Sequence, residues 1–254
     1  MIILFTLCGR AGSKGIKNKN IRNFSGNPLP FYSLSAIDLF LKKTKIMIVY
    51  DIVVSTDSME LIEMMENNPF RKTEIIKRAP ELCDDVTGKI EVIRDCFFQM
   101  KNRTGKNYDM VIDLDITSPL RTVNDIENLI KKHLETNADV TTSITSARRN
   151  PYFNQLKKTE CGFKRVIESD FTSRQQAPEV FDMNASLYAY SPGYLQTGDD
   201  VLDGYCECIE MKDTGVLDLD HESDFSLMEI IADYLFKTEE SYREIRNNIV
   251  KFEF

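Results

Sequence analysis

The chain has 254 residues, of which 42% are hydrophobic and 28% charged, a composition that is ordinary for one large globular α/β domain. Its formal net charge of −8 and its lack of a basic stripe with interleaved aromatic residues argue against a nucleic-acid-binding surface. The chain has no apolar run near the ~18 residues that span a bilayer, and its 6 cysteines are scattered, so we expect a cytoplasmic protein with reduced thiols and no membrane partner.

Apolar periodicity predicts alternating strands and helices along the first part of the chain. Strands are predicted at 1–8, 51–55, 74–77, 109–115 and 139–144, and helices at 31–41, 59–65, from about 88, and at 122–134. Thr122 is the expected N-cap of the last of these helices, with Asp125 three residues on, and we expect His133 in the same helix to be solvated. This repetition favours a mostly parallel sheet with helices on both faces.

Residues 146–182 interrupt the pattern, because they are polar, contain Pro151 and Pro178, and show only short apolar patches. We predict an insertion here that forms either a flap over a site or a dimer contact. The core is predicted to resume with strands at 185–190 and 205–211, a helix from about 222, and a C-terminal helix within 237–254 that packs on the core or on a partner. The prediction is therefore a single domain over 1–254 with one insertion.

Residues 8–22, the loop after the first predicted strand, are rich in glycine and in cations. Glycines let backbone N–H groups approach an anion, and Arg10, Lys14 and Lys19 add positive charge around it. The first acidic residue is Asp38, so an acidic chain concentrates positive potential on one loop, which indicates a small polyanionic ligand. The spacing matches neither the Walker A loop nor the G-x-G-x-x-G dinucleotide fingerprint.

This loop and five later blocks resemble those of the acylneuraminate cytidylyltransferases, which make CMP-sialic acid and related CMP-sugars. The blocks lie, in chain order, at 10–22, 53–57, 78–85, 117–122, 173–178 and 217–220, and the resemblance covers roughly residues 1–235. It implies a three-layer α/β/α Rossmann-like nucleotidyltransferase fold with a mostly parallel sheet. It also implies that the insertion at 146–182 is a dimerisation subdomain on the sugar side of the site, and hence a homodimer or a dimer-based oligomer.

The activity that this resemblance implies is nucleotidyl transfer in cell-surface polysaccharide biosynthesis: the anomeric hydroxyl of a nonulosonic acid attacks the α-phosphate of CTP, and pyrophosphate leaves. The implied nucleotide contacts are Arg10, Gly12, Ser13, Lys14, Gly15, Lys19, Asn20, Arg78 and Asp85. Arg10 and Lys19 are also implied to be catalytic, with Lys19 closest to the transferred charge. The implied sugar contacts are Asp115, Thr117, Ser118, Arg174, Gln175, Gln176 and Asn184, and Arg174 is the expected partner of the sugar carboxylate because arginine pairs carboxylates bidentately.

Asp218 and Asp220 alternate with leucines, so in an extended segment both carboxylates point the same way. Such a pair suits a hard divalent cation that also takes phosphate oxygens, although an amphipathic edge strand has the same pattern. In the family this pair holds Mg²⁺, so Asp218 and Asp220 are the implied metal ligands and catalytic residues. His221 follows directly and has a position compatible with a place beside the metal.

Two positions depart from the family pattern. Asp115 stands where many sialic acid enzymes have a glutamine close to the sugar, and Lys89 stands where they often have a serine. A carboxylate at 115 changes the polarity of the pocket, or adds an acidic metal contact together with Asp113. Both departures favour a diamino nonulosonate such as legionaminic acid over N-acetylneuraminate.

Two other functions fit parts of the pattern. A CMP-Kdo-type or other sugar nucleotidyltransferase shares the loop and the fold. A non-catalytic sugar-nucleotide-binding protein would also keep the loop but would lose the metal pair, and Asp218 and Asp220 are both present.

Overall fold

A computed structural model describes residues 1–12, 15–84, 86–214, 219 and 221–250. Its strands are β1 (Ile2–Cys8), β2 (Asn23–Phe24), β3 (Asn27–Pro28), β4 (Val49–Thr56), β5 (Glu74–Lys77), β6 (Met110–Leu114), β7 (Val140–Ser146), β8 (Leu156–Thr159), β9 (Gly162–Arg165), β10 (Phe181–Tyr190) and β11 (Cys206–Glu210). Its α-helices are α1 (Leu29–Lys43), α2 (Met59–Glu66), α3 (Lys89–Thr104), α4 (Val123–Thr136), α5 (Tyr194–Thr197), α6 (Glu222–Thr238) and α7 (Glu240–Val250).

Seven strands form the central sheet, in the order β11-β7-β10-β6-β1-β4-β5. Among the described strands of this sheet, β10 is antiparallel to both of its neighbours, and the other pairings are parallel. The chain adds β4 and β5 on one side of β1 and then returns to place β6 on the other side. Ligands of such sheets bind beyond the carboxyl ends of the strands where the strand order reverses, which here is the crevice between β1 and β6.

The side chains of β1 alternate between two hydrophobic clusters. Ile3, Phe5 and Leu7 pack with α1, α2, α4, α6 and α7 on one face of the sheet. Leu4 packs on the other face with Ile93 and residues of α3 and β5. Because helices cover both faces, the predicted three-layer α/β/α architecture with a mostly parallel sheet is confirmed.

Most of the predicted elements are confirmed, with bounds that differ by a few residues. Thr122 caps α4 as expected: its Oγ1 accepts a hydrogen bond from Asp125 N at 3.2 Å, and Asp125 Oδ2 accepts one from Thr122 N at 2.7 Å. The predicted C-terminal helix is α7, which packs on the core, where Asn248 Nδ2 donates to Asp38 Oδ2 at 3.1 Å. The last residues of that prediction, 251–254, lie outside the described residues.

Two expectations drawn from composition concern thiols and membranes. The six cysteines all lie in described parts of the chain, and each is a free thiol. Across the described ranges, no helix combines the length and the hydropathy that crossing a bilayer requires.

The described segment between β7 and β10 contains the β8–β9 hairpin, a two-stranded sheet that is separate from the central sheet. Large apolar side chains are exposed on this hairpin, Leu156 by 60% and Phe163 by 71%. β10 begins at Phe181, four residues before the predicted start at 185. The register of β10 shifts between Met183 and Tyr188, and Ala185 has a φ of +52°, so the bulge hides the strand's alternation from a sequence pattern.

The expectation that His133 is solvated is wrong. Its side chain follows Leu129 by one helical turn on the buried face of α4, and the residue is only 5% exposed. The ring Nδ1 lies 2.9 Å from Thr141 Oγ1 in the neighbouring strand. Burial lowers the pKa of His133 to about 4, against the opposing charge of Asp139, because the charged imidazolium is poorly solvated there.

This burial makes the stability of the fold pH-dependent. Between pH 6.5 and about 4 the unfolded chain takes up a proton at His133 that the folded chain does not, so the stabilisation present above pH 6.5 is lost as the pH falls. We expect the free energy of unfolding to fall over this window by up to about 3 kcal/mol more in the wild type than in His133→Gln. Urea unfolding at several pH values measures this difference, and parallel pH profiles would contradict it.

Candidate active site

The carboxyl ends of β1, β5 and β6 bring separate chain segments to one cleft of about 290 Å³. Of the implied site residues, this cleft is lined by Arg10, Lys19, Asn20, Arg78, Asp115 and Thr117. They come from three segments of the sequence, the loop after β1, Arg78 and the loop after β6, and meet beside the crevice between β1 and β6. The structure therefore brings four of the implied nucleotide contacts together with two of the implied sugar contacts, whereas Gly12 and Gly15 are not among the residues that line the cleft.

The loop after β1 is held by bonds to neighbouring segments. Gly9 N donates to Ser55 O at 3.1 Å, and Ala11 N donates to Asp57 Oδ1 at 2.6 Å. A Cβ atom at Gly9 would lie 3.0 Å from side-chain carbons of both Ile116 and Leu61, so a larger residue here would force these neighbours to shift. The first residues of the loop are thus packed closely against the ends of β4 and β6.

The cations of the cleft are positioned by backbone carbonyls. Arg10 Nη1 donates to Asp84 O at 2.6 Å, which joins the first loop to the segment that precedes α3. Arg78 is 7% exposed, and its Nη2 donates to Ser55 O at 2.9 Å. Asn20 Nδ2 donates to Arg10 O at 2.9 Å, so the side-chain amide of Asn20 connects the two ends of the basic loop. Lys19 and Asn20 lie in a single 3₁₀ turn, Lys19–Ile21.

Lys89, at the first position of α3, is the charged centre on the β6 side of the cleft. Its Nζ lies 2.6 Å from Asp115 Oδ2 and 3.2 Å from Asp113 Oδ2, and 4.7 Å from the centre of the Tyr188 ring. Burial would lower the pKa of Lys89, but the two carboxylates raise it well above its usual value. Burial likewise opposes ionisation of Asp115, yet Lys89 and the bonds from Thr117 lower that pKa to about 2.

Arg121 is a buried residue beneath the candidate site that was not among the predicted site residues, although it lies in one of the blocks that carry the resemblance. Its guanidinium is fully buried and donates to Ser33 Oγ at 2.7 Å and Ser186 Oγ at 3.2 Å. It also donates to the carbonyl oxygens of Asp115 and Ser118. Burial lowers its pKa to about 10. Arg121 therefore fixes the loop after β6, which lines the cleft.

We expect Arg121→Met to destabilise the fold by about 3 kcal/mol, because it leaves buried acceptors unpaired around an apolar side chain. Chemical denaturation measures the loss. The matched control is Arg149→Met, since Arg149 is exposed and its side chain donates only to a neighbouring carbonyl among the bonds resolved for it. Equal stability of the two variants would show that Arg121 does not hold this loop.

The implied sugar residues of the insertion lie around a different cavity. Arg174 and Gln175 line a cavity of about 450 Å³ together with Asn150 and Glu179, and this cavity shares no lining residue with the cleft. Arg174 Nη2 donates to Ala147 O at 3.0 Å. Gln176 Oε1 accepts bonds from the backbone and hydroxyl of Thr172, each at 3.0 Å, which are contacts within a turn.

Asn184 and Ser118 lie together beside residues 211–214, the segment that leads toward the acidic pair. Asn184 Oδ1 accepts bonds from Ser143 Oγ at 2.5 Å and Ser186 N at 3.3 Å, and these bonds fix the bulge in β10. Asn184 is only 8% exposed, and its side-chain oxygen is already engaged in these structural hydrogen bonds.

Several implied residues, Ser13, Lys14, Asp85, Asp218 and Asp220, lie outside the described residues. Over the ranges that the structure does describe, no group of three or more His, Cys, Asp or Glu side chains could hold a metal ion. His221 is the N-cap of α6, where its backbone N donates to Asp224 Oδ2 at 2.8 Å.

Arg22 connects the basic loop to the helix that follows the acidic pair. Its Nη1 contacts both carboxylate oxygens of Glu222, at 2.7 and 2.6 Å, and its guanidinium lies 4.2 Å from the centre of the Phe225 ring. Both partners are in α6, whose first residue is Glu222. The start of α6 is therefore tied to the loop that carries Lys19.

A second, apolar groove of about 530 Å³ lies between the end of α1 and α4, lined by Phe40, Ile46, Ile130 and Leu134 among others. Residues 44–48 lead directly into β4, so this groove is at the amino edge of the sheet, opposite the cleft. It contains no implied site residue.

Residues 5–245 match the sequence pattern of the cytidylyltransferase family. The chain belongs to that family. Two relatives are each 33% identical to it over 229 residues, 90% of this chain and 94% of the relative. They are the post-translational flagellin modification protein B of Campylobacter coli and the CMP-N,N'-diacetyllegionaminic acid synthase of Campylobacter jejuni. An N-acylneuraminate cytidylyltransferase of Streptococcus agalactiae is 24% identical over 91% of this chain and 54% of its own length.

Solved structures agree with the fold of this cytidylyltransferase. A CMP:2-keto-3-deoxy-manno-octonic acid synthetase in complex with CTP superposes with a TM-score of 0.65 at 14% identity, over 92% of this chain and 99% of that one. A 4-diphosphocytidyl-2C-methyl-D-erythritol synthase from Anaerococcus prevotii gives 0.58 at 10% identity, over 91% and 98%. The family that the sequence blocks resemble and the nucleotidyltransferase fold are both confirmed.

Proposed function

We propose that this cytidylyltransferase transfers CMP from CTP to a nonulosonic acid of the legionaminic type. The observation that carries this proposal is the cleft at the strand-order reversal, which gathers Arg10 and Lys19 of the loop after β1 and Arg78 after β5 in an acidic chain. Clustered fixed cations in a partly enclosed cleft favour a polyphosphate over other anions. The name of one relative at 33% identity, a CMP-N,N'-diacetyllegionaminic acid synthase, supports the sugar class.

In the reaction that we propose, the anomeric oxygen of the acid forms a bond to the α-phosphorus of CTP. The bond from that phosphorus to the oxygen bridging to the β-phosphate breaks, pyrophosphate leaves with the electron pair, and the hydroxyl proton is released. Arg10 and Arg78 hold the nucleotide, and Lys19 stabilises the charge that develops on the transferred group. Positioning and electrostatic stabilisation supply most of the acceleration in such transfers.

We also propose Mg²⁺ as the cofactor, with Asp218 and Asp220 as its ligands. Paired carboxylates on one face of an extended segment suit a hard cation that keeps phosphate oxygens in its coordination shell. When bound, the metal would offset the charge of the departing pyrophosphate. Support comes from Arg22, whose ion pair with Glu222 ties the start of α6 to the basic loop. His221 is not one of the proposed ligands: its backbone N caps α6, and its ring Nδ1 lies 3.2 Å from Asp224 Oδ2.

The legionaminic class is preferred to N-acetylneuraminate for two reasons. Identity is 33% to the diacetyllegionaminic acid synthase and 24% to the N-acylneuraminate enzyme. Asp115 and Lys89, the two departures from the sialic acid pattern, both line the cleft. A CMP-Kdo-type activity has weaker support, since the similarity to that synthetase is one of fold at 14% identity.

A homodimer in which the insertion reaches the partner's cleft is also part of the proposal. The exposed Leu156 and Phe163 supply apolar surface for such a contact, and Phe181 is 42% exposed at the base of the insertion. Arg174 would then serve as the partner of the sugar carboxylate in the neighbouring site. We place the reaction in the cytoplasm, where thiols remain reduced.

Pyrophosphate release tests the proposed reaction directly. We expect turnover with CTP and Mg²⁺ in the presence of diacetyllegionaminic acid, with slower turnover for N-acetylneuraminate and Kdo.

Lys19→Ala should lower kcat about a hundredfold, with a smaller change in the KM for CTP, because the negative charge on the transferred group is greatest in the transition state. Lys45→Ala, in the apolar groove at the other edge, is the control. Absence of release with every acid, or a wild-type rate for Lys19→Ala, would refute the proposal.

Arg174→Lys tests the sugar side. Lysine keeps the charge but loses the two-pronged geometry, so we expect the KM for the sugar acid to rise about tenfold while the KM for CTP changes much less. Arg149→Lys, at another exposed arginine of the insertion, is the matched control. Steady-state kinetics with each substrate varied in turn gives both constants. A rise in the KM for CTP alone would contradict this role and would indicate that Arg174 contacts the nucleotide.

A further inference from the structure

We propose that Lys89 is a positioning residue for the nucleotide: it neutralises the carboxylates of Asp113 and Asp115 beside the cleft, so that the cleft can accept the negative charge of CTP. This inference rests on the proposed function and assigns a role to a residue that the reaction scheme above does not use. Lys89 and Asp115 line the same cleft as Arg10, Lys19 and Arg78. The carboxylates of Asp113 and Asp115 would repel a bound polyphosphate unless the Lys89 cation pairs with them.

Asp113 requires a cation because it is completely buried. It lies in the middle of the sheet, and its Oδ1 accepts a hydrogen bond from Thr6 Oγ1 at 2.7 Å across the β1–β6 pairing. Its Oδ2 is contacted by Lys89 Nζ at 3.2 Å. Since a hydroxyl cannot balance a buried charge, Lys89 compensates Asp113 by direct contact, and the buried guanidinium of Arg121 adds positive charge nearby.

Asp115 is engaged at both oxygens. Oδ1 accepts from the backbone N of Thr117 at 2.9 Å and from its Oγ1 at 2.7 Å, while Oδ2 accepts from Lys89 Nζ at 2.6 Å. The same pair of residues, Asp115 and Thr117, lines the cleft. Lys89 therefore sets both the charge and the position of this wall.

The two departures from the sialic acid pattern compensate each other. Asp115 replaces a neutral amide by a carboxylate, and Lys89 replaces a hydroxyl by a cation. In the structure these two side chains are in direct contact, although 26 residues separate them in sequence. A charge change at one position is thus balanced at the other, which keeps the cleft compatible with an anionic substrate.

The location of Lys89 adds a second argument. It is the first residue of α3, after the N-cap Gly88, where the partial positive charge of a helix favours carboxylates and disfavours cations. A lysine here carries a local electrostatic cost that its carboxylate partners offset. The arrangement also favours one of the two roles left open for Asp115. Lys89 Nζ lies between Asp113 and Asp115, where a shared metal ion would have to bind, which favours an effect on the polarity of the cleft over a metal contact.

Calorimetric titration of CTP into the protein with Mg²⁺, without any sugar acid, tests this role. We expect Lys89→Met to raise the Kd for CTP about tenfold or more, because the loss leaves carboxylate charge beside the bound phosphates. The double variant Lys89→Met/Asp115→Asn should recover part of that loss, since the uncompensated charge at 115 is removed with the lysine while Asp113 remains. In steady-state assays, Lys89→Met should raise the KM for CTP more than it lowers kcat. A purely structural role for Lys89 would produce neither the rescue nor this split.

The control is Lys106→Met, which breaks another part-buried Lys–Asp pair. Lys106 Nζ contacts Asp51 Oδ1 at 2.8 Å and Oδ2 at 2.7 Å, away from the cleft. We expect no change in CTP affinity for this variant. Thermal unfolding monitors the fold of each protein, and Asp115→Asn alone keeps the proposal testable if Lys89→Met fails to fold, because it should bind CTP at least as tightly as the wild type.

Three results would overturn the inference: unchanged CTP affinity in a folded Lys89→Met, no recovery in the double variant, or a large loss of affinity in Asp115→Asn alone. Each leaves the proposed function intact as long as the wild type binds CTP. A wild type that does not bind CTP would overturn the proposed function and this inference together.

Discussion

The parallel pairing of β1 with β4 on one side and β6 on the other is the constraint on which the site depends. It puts the first basic loop, Arg78 and the Asp115 loop at one edge of the sheet. The register also sets Thr6 opposite Asp113, where their side chains are hydrogen-bonded in the core. A slip of one residue would turn the apolar face of β1 to the wrong side and separate this buried pair, so packing and site geometry specify the same register.

Two cations stabilise the end of β6 and the loop that follows it. The guanidinium of Arg121 donates hydrogen bonds to the carbonyl oxygens of Asp115 and Ser118. Lys89, at the start of α3, forms ion pairs with the carboxylates of Asp113 and Asp115. These side chains are held by packing before any ligand arrives. Fixed cations and dipoles cost little reorganisation when charge moves during a reaction, which is how a cytidylyltransferase can act largely by electrostatics.

Local signals in the sequence were sufficient for much of this architecture. The strand predicted at 1–8 and the Thr122 cap of α4 each depend on residues within one element, and both are confirmed. His133 was misjudged because its neighbours in sequence are polar, whereas its partner Thr141 comes from an adjacent strand. The bulge at Ala185 obscured the start of β10 for a related reason: a positive φ interrupts the alternation that marks a strand.

The contacts of the site were the least predictable part. The sequence blocks identified Arg10, Lys19 and Arg78 as charged residues of the site, but not which carbonyl groups hold them. Lys89 was noticeable only as a departure from a family pattern, and its contact with Asp115 depends on how α3 and β6 pack. Long-range pairs of this kind follow from tertiary structure and leave no periodic signal in one sequence.

The central claim is that CTP binds at the carboxyl edge of the sheet, and hydrogen–deuterium exchange with and without CTP and Mg²⁺ tests it most directly. We expect slower exchange of backbone amides at 9–12, 78–84 and 115–118, and unchanged exchange at 43–48 beside the apolar groove. Protection confined to 43–48, or no protection at the carboxyl edge at saturating CTP, would contradict the claim.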